Sequence, residues 1–312
     1  MSSPSNAEPA AIFEPSTAAH TAPLAPTRPF YWSVRRELWE YRSVWIAPLV
    51  SAGFVLFGFI IALIRLPAKM HVTRMPPAEV PVGMLSAAQG FAAAVILATS
   101  LTVCVIYCLG ALNHERRDRS ILFWKSLPVS DITTVLSKMF VPMVALPAVA
   151  FAVALATQLV QLVLGSAFLA THGMNPAILW NGLLGHIVVG GFYTVIVTAL
   201  WYAPIYGWLL LVSGWARRVP LLWAVLPLLA VCIVEKIGFD TDYFWSMLFY
   251  RITGFAQEAF GGVHIHGGNI VDPLMLLTPD RFVASLGLWI GLAFAAAFLA
   301  TAIWLRRYRD PG

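Results

Sequence analysis

The side chains best placed for chemistry gather in one stretch, and what they suggest is recognition of a partner. Residues 113–131 read Asn113-His114-Glu115-Arg116-Arg117-Asp118-Arg119-Ser120-Ile121-Leu122-Phe123-Trp124-Lys125-Ser126-Leu127-Pro128-Val129-Ser130-Asp131. A dense charged group precedes four consecutive apolar residues, then a proline break and a helix start with Ser130 or Asp131 as cap. A merely solvated loop has no use for Ile121, Leu122, Phe123 and Trp124 in a row. Such a segment suits docking, with apolar residues filling a cleft and charges fixing the register. Packing against a membrane surface is the alternative.

Catalytic signatures are otherwise missing. The chain contains no G-x-x-x-x-G-K-[ST] phosphate loop, H-E-x-x-H, G-x-S-x-G or C-x-x-C. His264 and His266, with Asp272 and His172, have the chemistry of metal ligands, but two histidines in a Gly-rich loop fit a surface loop equally simply. Cys104 and Cys108 lie one helical turn apart in apolar surroundings that offer no charge to lower a thiol pKa, so they read as packing residues. His186, Gln158 and Gln161 fall within apolar stretches. They read either as pathway-lining groups or as makers of hydrogen bonds between helices or at the interface.

The elements that position these residues follow from composition. Apolar residues make up 59% of the 312 and charged ones 11%, with mean hydropathy +0.77. Water cannot be the solvent around most of such a chain. Six stretches approach or exceed the roughly 20 apolar residues a spanning helix needs: Val44–Ile64, Leu85–Leu112, Val141–Phe168, Leu183–Val212, Leu221–Val234 and Ala284–Leu305. The fifth is expected to stop before Glu235-Lys236. The third carries Pro142 and Pro147 near its start, tolerable in a membrane helix whose neighbours satisfy the freed carbonyls.

The net charge of +5 and pI near 9.3 would suggest nucleic acid in a soluble protein. Here the bases sit at the ends of apolar stretches, where they set orientation, and no nucleic-acid partner is expected. With the N-terminus inside, the cytoplasmic segments hold Arg28, Arg35, Arg36, Arg42, Arg116, Arg117, Arg119, Lys125, Lys138, Arg217, Arg218, Arg306, Arg307 and Arg309. The outside segments hold only Arg65, Lys69, Arg74, Lys236, Arg251 and Arg281. The expected fold is therefore an all-α polytopic membrane protein of about six spans with both termini cytoplasmic.

Residues 1–27 read as a disordered cytoplasmic tail. Residues 28–43 read as an amphipathic interfacial helix, with Tyr31, Val34, Leu38, Tyr41 and Trp45 on one stripe, Ser33, Arg36 and Glu40 facing away, and Arg35 and Arg42 flanking. Trp39 belongs to the same interfacial segment. Residues 44–312 form the six-span domain, with a cytoplasmic loop at 113–138 and a long outside segment at 235–283. Within the latter, Tyr243–Phe260 suggests a helix that dips into or lies on the outer leaflet.

The segment after the second span resembles that of the permease subunits of ABC-2-type transporters. In that family an acid–base cluster, typically Glu-Arg-x-x-Gly/Arg-Ser, is followed by an apolar run ending in Ser-Leu-Pro-Val-Ser. Here Glu115-Arg116-Arg117-Asp118-Arg119-Ser120 and Ser126-Leu127-Pro128-Val129-Ser130 carry the likeness, which extends in topology over residues 30–308. The resemblance implies a coupling element at Glu115–Pro128 that docks on a separate ATPase subunit. Phe123, Trp124 and Leu127 would be apolar contacts there, and Glu115, Arg116, Arg117, Asp118, Arg119, Ser120 and Lys125 polar ones. It further implies a connecting helix at Tyr31–Arg42, including Arg35, Leu38 and Trp39, and a pair of permeases with a pair of ATPases. The resemblance leans towards export across a bacterial inner membrane. ATP and Mg would belong to the partner, leaving this chain without cofactor, bound metal or enzymatic activity. A membrane scaffold or sensor recruiting a cytoplasmic partner, and an intramembrane enzyme using His186 or the His264/His266 pair, are the competing readings.

Overall fold

A computed structural model of the chain describes residues 28–70, 79–114, 130–180, 185–216, 218–260 and 277–308. Within them the protein is an all-α polytopic membrane protein. Six helices are long and apolar enough to cross a bilayer, and β structure is limited to an isolated bridge between Phe260 and Leu277. The reason is energetic: in hydrocarbon every backbone N–H and C=O must be paired within its own segment, which a helix achieves. Hydroxyls inside the spans bond back to the preceding turn, as Ser100 does to Ile96 O and Thr99 to Val95 O, both at 2.8 Å.

In chain order the helices are α1 (Pro29–Glu40), α2 (Ser43–Met70), α3 (Glu79–Ala111), α4 (Asp131–Phe140), α5 (Leu146–Thr171), α6 (Ala177–Trp180), α7 (Gly191–Trp215), α8 (Pro220–Phe239), α9 (Tyr243–Thr253), α10 (Phe255–Ala259), α11 (Pro279–Ala284) and α12 (Leu286–Tyr308). The spans are formed by α2, α3, α4 running into α5, the length from Ile187 through α7, α8 and α12.

The third and fifth spans depart furthest from the sequence expectation. The third span is one continuous helical path from Asp131 to Thr171, starting well before Val141. Ser130 caps it by accepting from Thr133 N–H at 3.1 Å, and a π-helical turn at Val141–Ala145 joins α4 to α5. Pro142, which has no N–H to give, sits in that wider turn. The fifth span does not stop before Glu235 but continues to Phe239. Glu235 is tolerated there because its carboxylate accepts the N–H groups of Tyr243 and Phe244, both at 2.9 Å, and the Thr241 hydroxyl at 3.0 Å. An acid that looked like a helix terminator instead stabilises the start of α9.

The fourth span is the hub: 67% of an apolar 18-residue stretch within it is buried, against 6% of the matching stretch of the fifth. It lies parallel to α12 in close contact, since a Cβ at Gly207 would meet Ala295 O at 3.3 Å. An even number of spans returns the chain to its starting end, and α1, the start of α4 and the end of α12 meet there. At the opposite end α9 and α10 form a short hairpin that turns back into the bundle. Its lowest point touches the middle of the fourth span, where Trp201 Nε1–H donates to Arg251 O at 2.8 Å and the Tyr202 hydroxyl to Ile252 O at 2.7 Å. Its return arm rises to Ala259, whose carbonyl accepts from the Tyr193 hydroxyl at 2.9 Å. The single helix expected over Tyr243–Phe260 is thus two helices, and the end of the first reaches Trp201 and Tyr202.

Candidate functional site

The segment carrying Glu115, Arg116, Arg117, Asp118, Arg119, Ser120, Phe123, Trp124, Lys125, Leu127 and Pro128 lies outside the described residues. Its two stems are described, and both are pinned. On the incoming side, α3 ends at Ala111, and the N–H groups of Leu112 and Asn113 both donate to Ser213 Oγ at 3.0 Å, tying the stem to the fourth span. The His114 ring stacks on Tyr41, with centroids 6.4 Å apart. On the outgoing side, Ser130 caps α4, and Asp131 Oδ1 accepts from Arg306 Nε at 2.9 Å, tying that stem to the end of the sixth span.

Between the stems lies a buried ion pair. Lys138 Nζ on α4 stands 2.7 Å from Glu37 Oε1 on α1, and the Tyr107 hydroxyl on α3 donates to Glu37 Oε2 at 2.9 Å. The Lys138 and Glu37 side chains are 2% and 3% exposed. Both carboxylate oxygens of Glu37 are therefore engaged, by two different helices. The Tyr41 ring meets Tyr107 edge-on at 4.7 Å and closes the cluster from above. A charge buried this deeply is costly unless paired. The pair thus locks the relative placement of α1, α3 and α4, which can move as a unit more cheaply than they can separate.

Glu37 is the one buried residue of α1, and the sequence reading passed over it. The signal was available: an acid beside Leu38, one turn from Val34 and Tyr41, sits on the apolar side of the helix. Of the expected stripe, Leu38 and Tyr41 pack against the core, whereas Tyr31 and Trp45 are exposed. Exposed too are Trp39 and Arg42. The Arg35 guanidinium lies over the rings of Trp32 and Trp39, at 5.2 and 4.9 Å from their centroids. That outward row of aromatics with a cation suits a headgroup layer.

Of the residues considered for a pathway, Gln158 and Gln161 are both buried, one turn apart on α5. Gln158 Nε2–H donates to Gln89 O at 3.2 Å, a bond between the third and second spans. The Gln161 amide is buried with neither polar atom partnered. His186 opens a π-helical turn, His186–Gly190, ahead of α7, and its side chain is not among those described. His264, His266 and Asp272 lie outside the described residues. His172 is exposed, with Nδ1 2.9 Å from Phe168 O. Among the described residues no three His, Cys, Asp or Glu side chains cluster as metal ligands. Cys104 and Cys108 are buried and unpaired beside each other.

Comparison with protein-family models, curated proteins and solved structures finds no match for this chain.

Proposed function

We propose that this chain is the membrane-spanning permease subunit of an ABC-type exporter, driven by a separate ATPase that docks on residues 115–128 from the cytoplasm. The observation that supports this most is the construction around that segment. Its stems are bound to the fourth and sixth spans by Ser213 and Arg306, and the Glu37–Lys138–Tyr107 cluster joins α1, α3 and α4 beside them. A docking loop passes work to the spans only if its base is stiffly connected to them, because a partner shifts an equilibrium by what it contacts differently in two states. A freely solvated loop would need none of these buried contacts. On this reading ATP and Mg act in the partner, two copies of this chain face each other in the assembly, and the membrane is the bacterial inner membrane.

The test is affinity purification of the tagged chain in mild detergent, with mass spectrometry and an ATPase assay. A stoichiometric partner bearing a phosphate loop is the expected result. Trp124→Ala combined with Leu127→Ala should release that partner while membrane insertion and yield stay unchanged. A chain that purifies alone, without nucleotide dependence, would sink the permease reading in favour of a scaffold.

A further inference from the structure

At the end opposite α1, where the α9–α10 hairpin reaches the fourth span, stands a cation that the protein has left unfinished. The Arg251 guanidinium lies over the Trp201 ring, 4.5 Å from its centroid, and Nη1–H donates to Gly287 O at 2.8 Å. Nε and Nη2 are both buried and have no hydrogen-bond partner. Those two nitrogens form the side-on edge of the guanidinium, the parallel pair of donors that matches two oxygens of a carboxylate or phosphate.

The placement is built. Gly287 and Gly291, one turn apart on α12, open a notch for the hairpin: a Cβ at Gly287 would press on the Tyr250 ring at 3.3 Å, and one at Gly291 would overlap the guanidinium. The nearby acid is engaged elsewhere, since Glu258 accepts from the Tyr250 hydroxyl at 2.8 Å and lies 3.8 Å from Arg281. Among the described residues, the buried cations Lys138 and Arg306 each face a carboxylate. Arg251 faces a backbone carbonyl and a ring.

We propose that Arg251 anchors a binding site for an amphiphilic anion, its Nε and Nη2 donors receiving a phosphate or carboxylate as the hairpin shifts against α12. The body of such a ligand is apolar, because the helix that carries Arg251 also exposes Trp245, Met247, Phe249 and Ile252. A small hydrated ion would gain nothing from that surface, whereas a hydrocarbon chain or aromatic body would. The site needs no ATPase, so it stands or falls separately from the permease reading.

The test uses the full chain in neutral detergent and native mass spectrometry with dodecyl phosphate, dodecanoate and uncharged dodecanol. The wild type should retain one molecule of either anion and no dodecanol. Arg251→Gln should weaken retention at least tenfold, and Arg251→Lys, which keeps the charge without the fork, should fall between. Displacement of dodecyl phosphate by phosphatidylglycerol would assign the site to a bilayer lipid, and failure to displace it to a soluble amphiphile. Equal retention of dodecanol, unchanged retention by Arg251→Gln, or no retention by the wild type would overturn the proposal. Should Arg251→Gln fail to fold by size exclusion, a diazirine-bearing dodecyl phosphate on the wild type decides. Labelling within 243–253 or 286–291 supports the site, and labelling confined elsewhere removes it.

Discussion

The two ends of this bundle handle buried charge in opposite ways. At the α1 end, Lys138 and Arg306 meet carboxylates at 2.7 and 2.9 Å, and Glu37 has both oxygens engaged. At the hairpin end, Arg251 has one backbone acceptor and two idle donors. A closed set of partners fixes geometry and has nothing left to offer a ligand. An open set costs stability and keeps donors in reserve, which folding alone does not reward. The first arrangement suits a strut and the second a receptor, and substitutions at each end should separate the two.

The largest effect is expected from Lys138→Met. It strands the Glu37 carboxylate in the interior, and losing one partner of a buried pair costs about 3–5 kcal/mol. Adding Glu37→Leu should recover most of that loss, since two apolar groups of similar volume can replace a buried pair at little cost. Unfolding of both variants in a denaturing detergent series measures this. Equal losses in the single and double variants would show that the pair is not a unit. Tyr107→Phe comes next, because it removes a hydroxyl that donates to a charged acceptor, worth about 1.5–3 kcal/mol. In the Glu37→Leu, Lys138→Met background the same change should cost far less.

At the hairpin end, Gly291→Ala places a methyl group against the Arg251 guanidinium. Overpacking of this kind costs about 1–3 kcal/mol. The cost should shrink when Arg251→Ala empties the notch, and a double-mutant cycle reads the difference. Additive losses would mean that Gly291 serves something other than Arg251.

How much of this was legible in the sequence follows from the range of each signal. Runs of some 20 apolar residues are local, so all six spans could be read along the chain. The end of the fifth could not, because Glu235 stops looking like a terminator only once the N–H groups of Tyr243 and Phe244 fold onto it. The cap at Ser130 or Asp131 is a local signal, and Ser130 fills it. The Glu37–Lys138 pair joins residues 101 apart, and no periodicity connects them. In the sequence Lys138 reads only as one more cytoplasmic base. Arg251 likewise reads as an outside charge, since nothing local marks a guanidinium that will fill a notch between Gly287 and Gly291. Residues 115–129 lie outside the described residues, so the docking proposed for 115–128 rests on the sequence and on the two anchored stems.

The smallest expected effect is also the sharpest control. Tyr202→Phe removes one hydroxyl, which donates to Ile252 O at 2.7 Å, and leaves the ring in place. The acceptor is a neutral carbonyl and the site is only partly buried, so the loss should be about 0.5–1.5 kcal/mol, below that of Tyr107→Phe. The two substitutions delete the same atom from the same residue type, one at each end. What differs is the load on the lost bond: Tyr107 steadies a charge, whereas Tyr202 steadies the tip of a hairpin. Hydrogen exchange should therefore rise in Tyr202→Phe across 243–259 alone, and in Tyr107→Phe across α1, α3 and α4 together. If Tyr202→Phe loosened the whole bundle, the hairpin would be part of the rigid core. Arg251 could not then release its donors to a ligand without unfolding the protein around it.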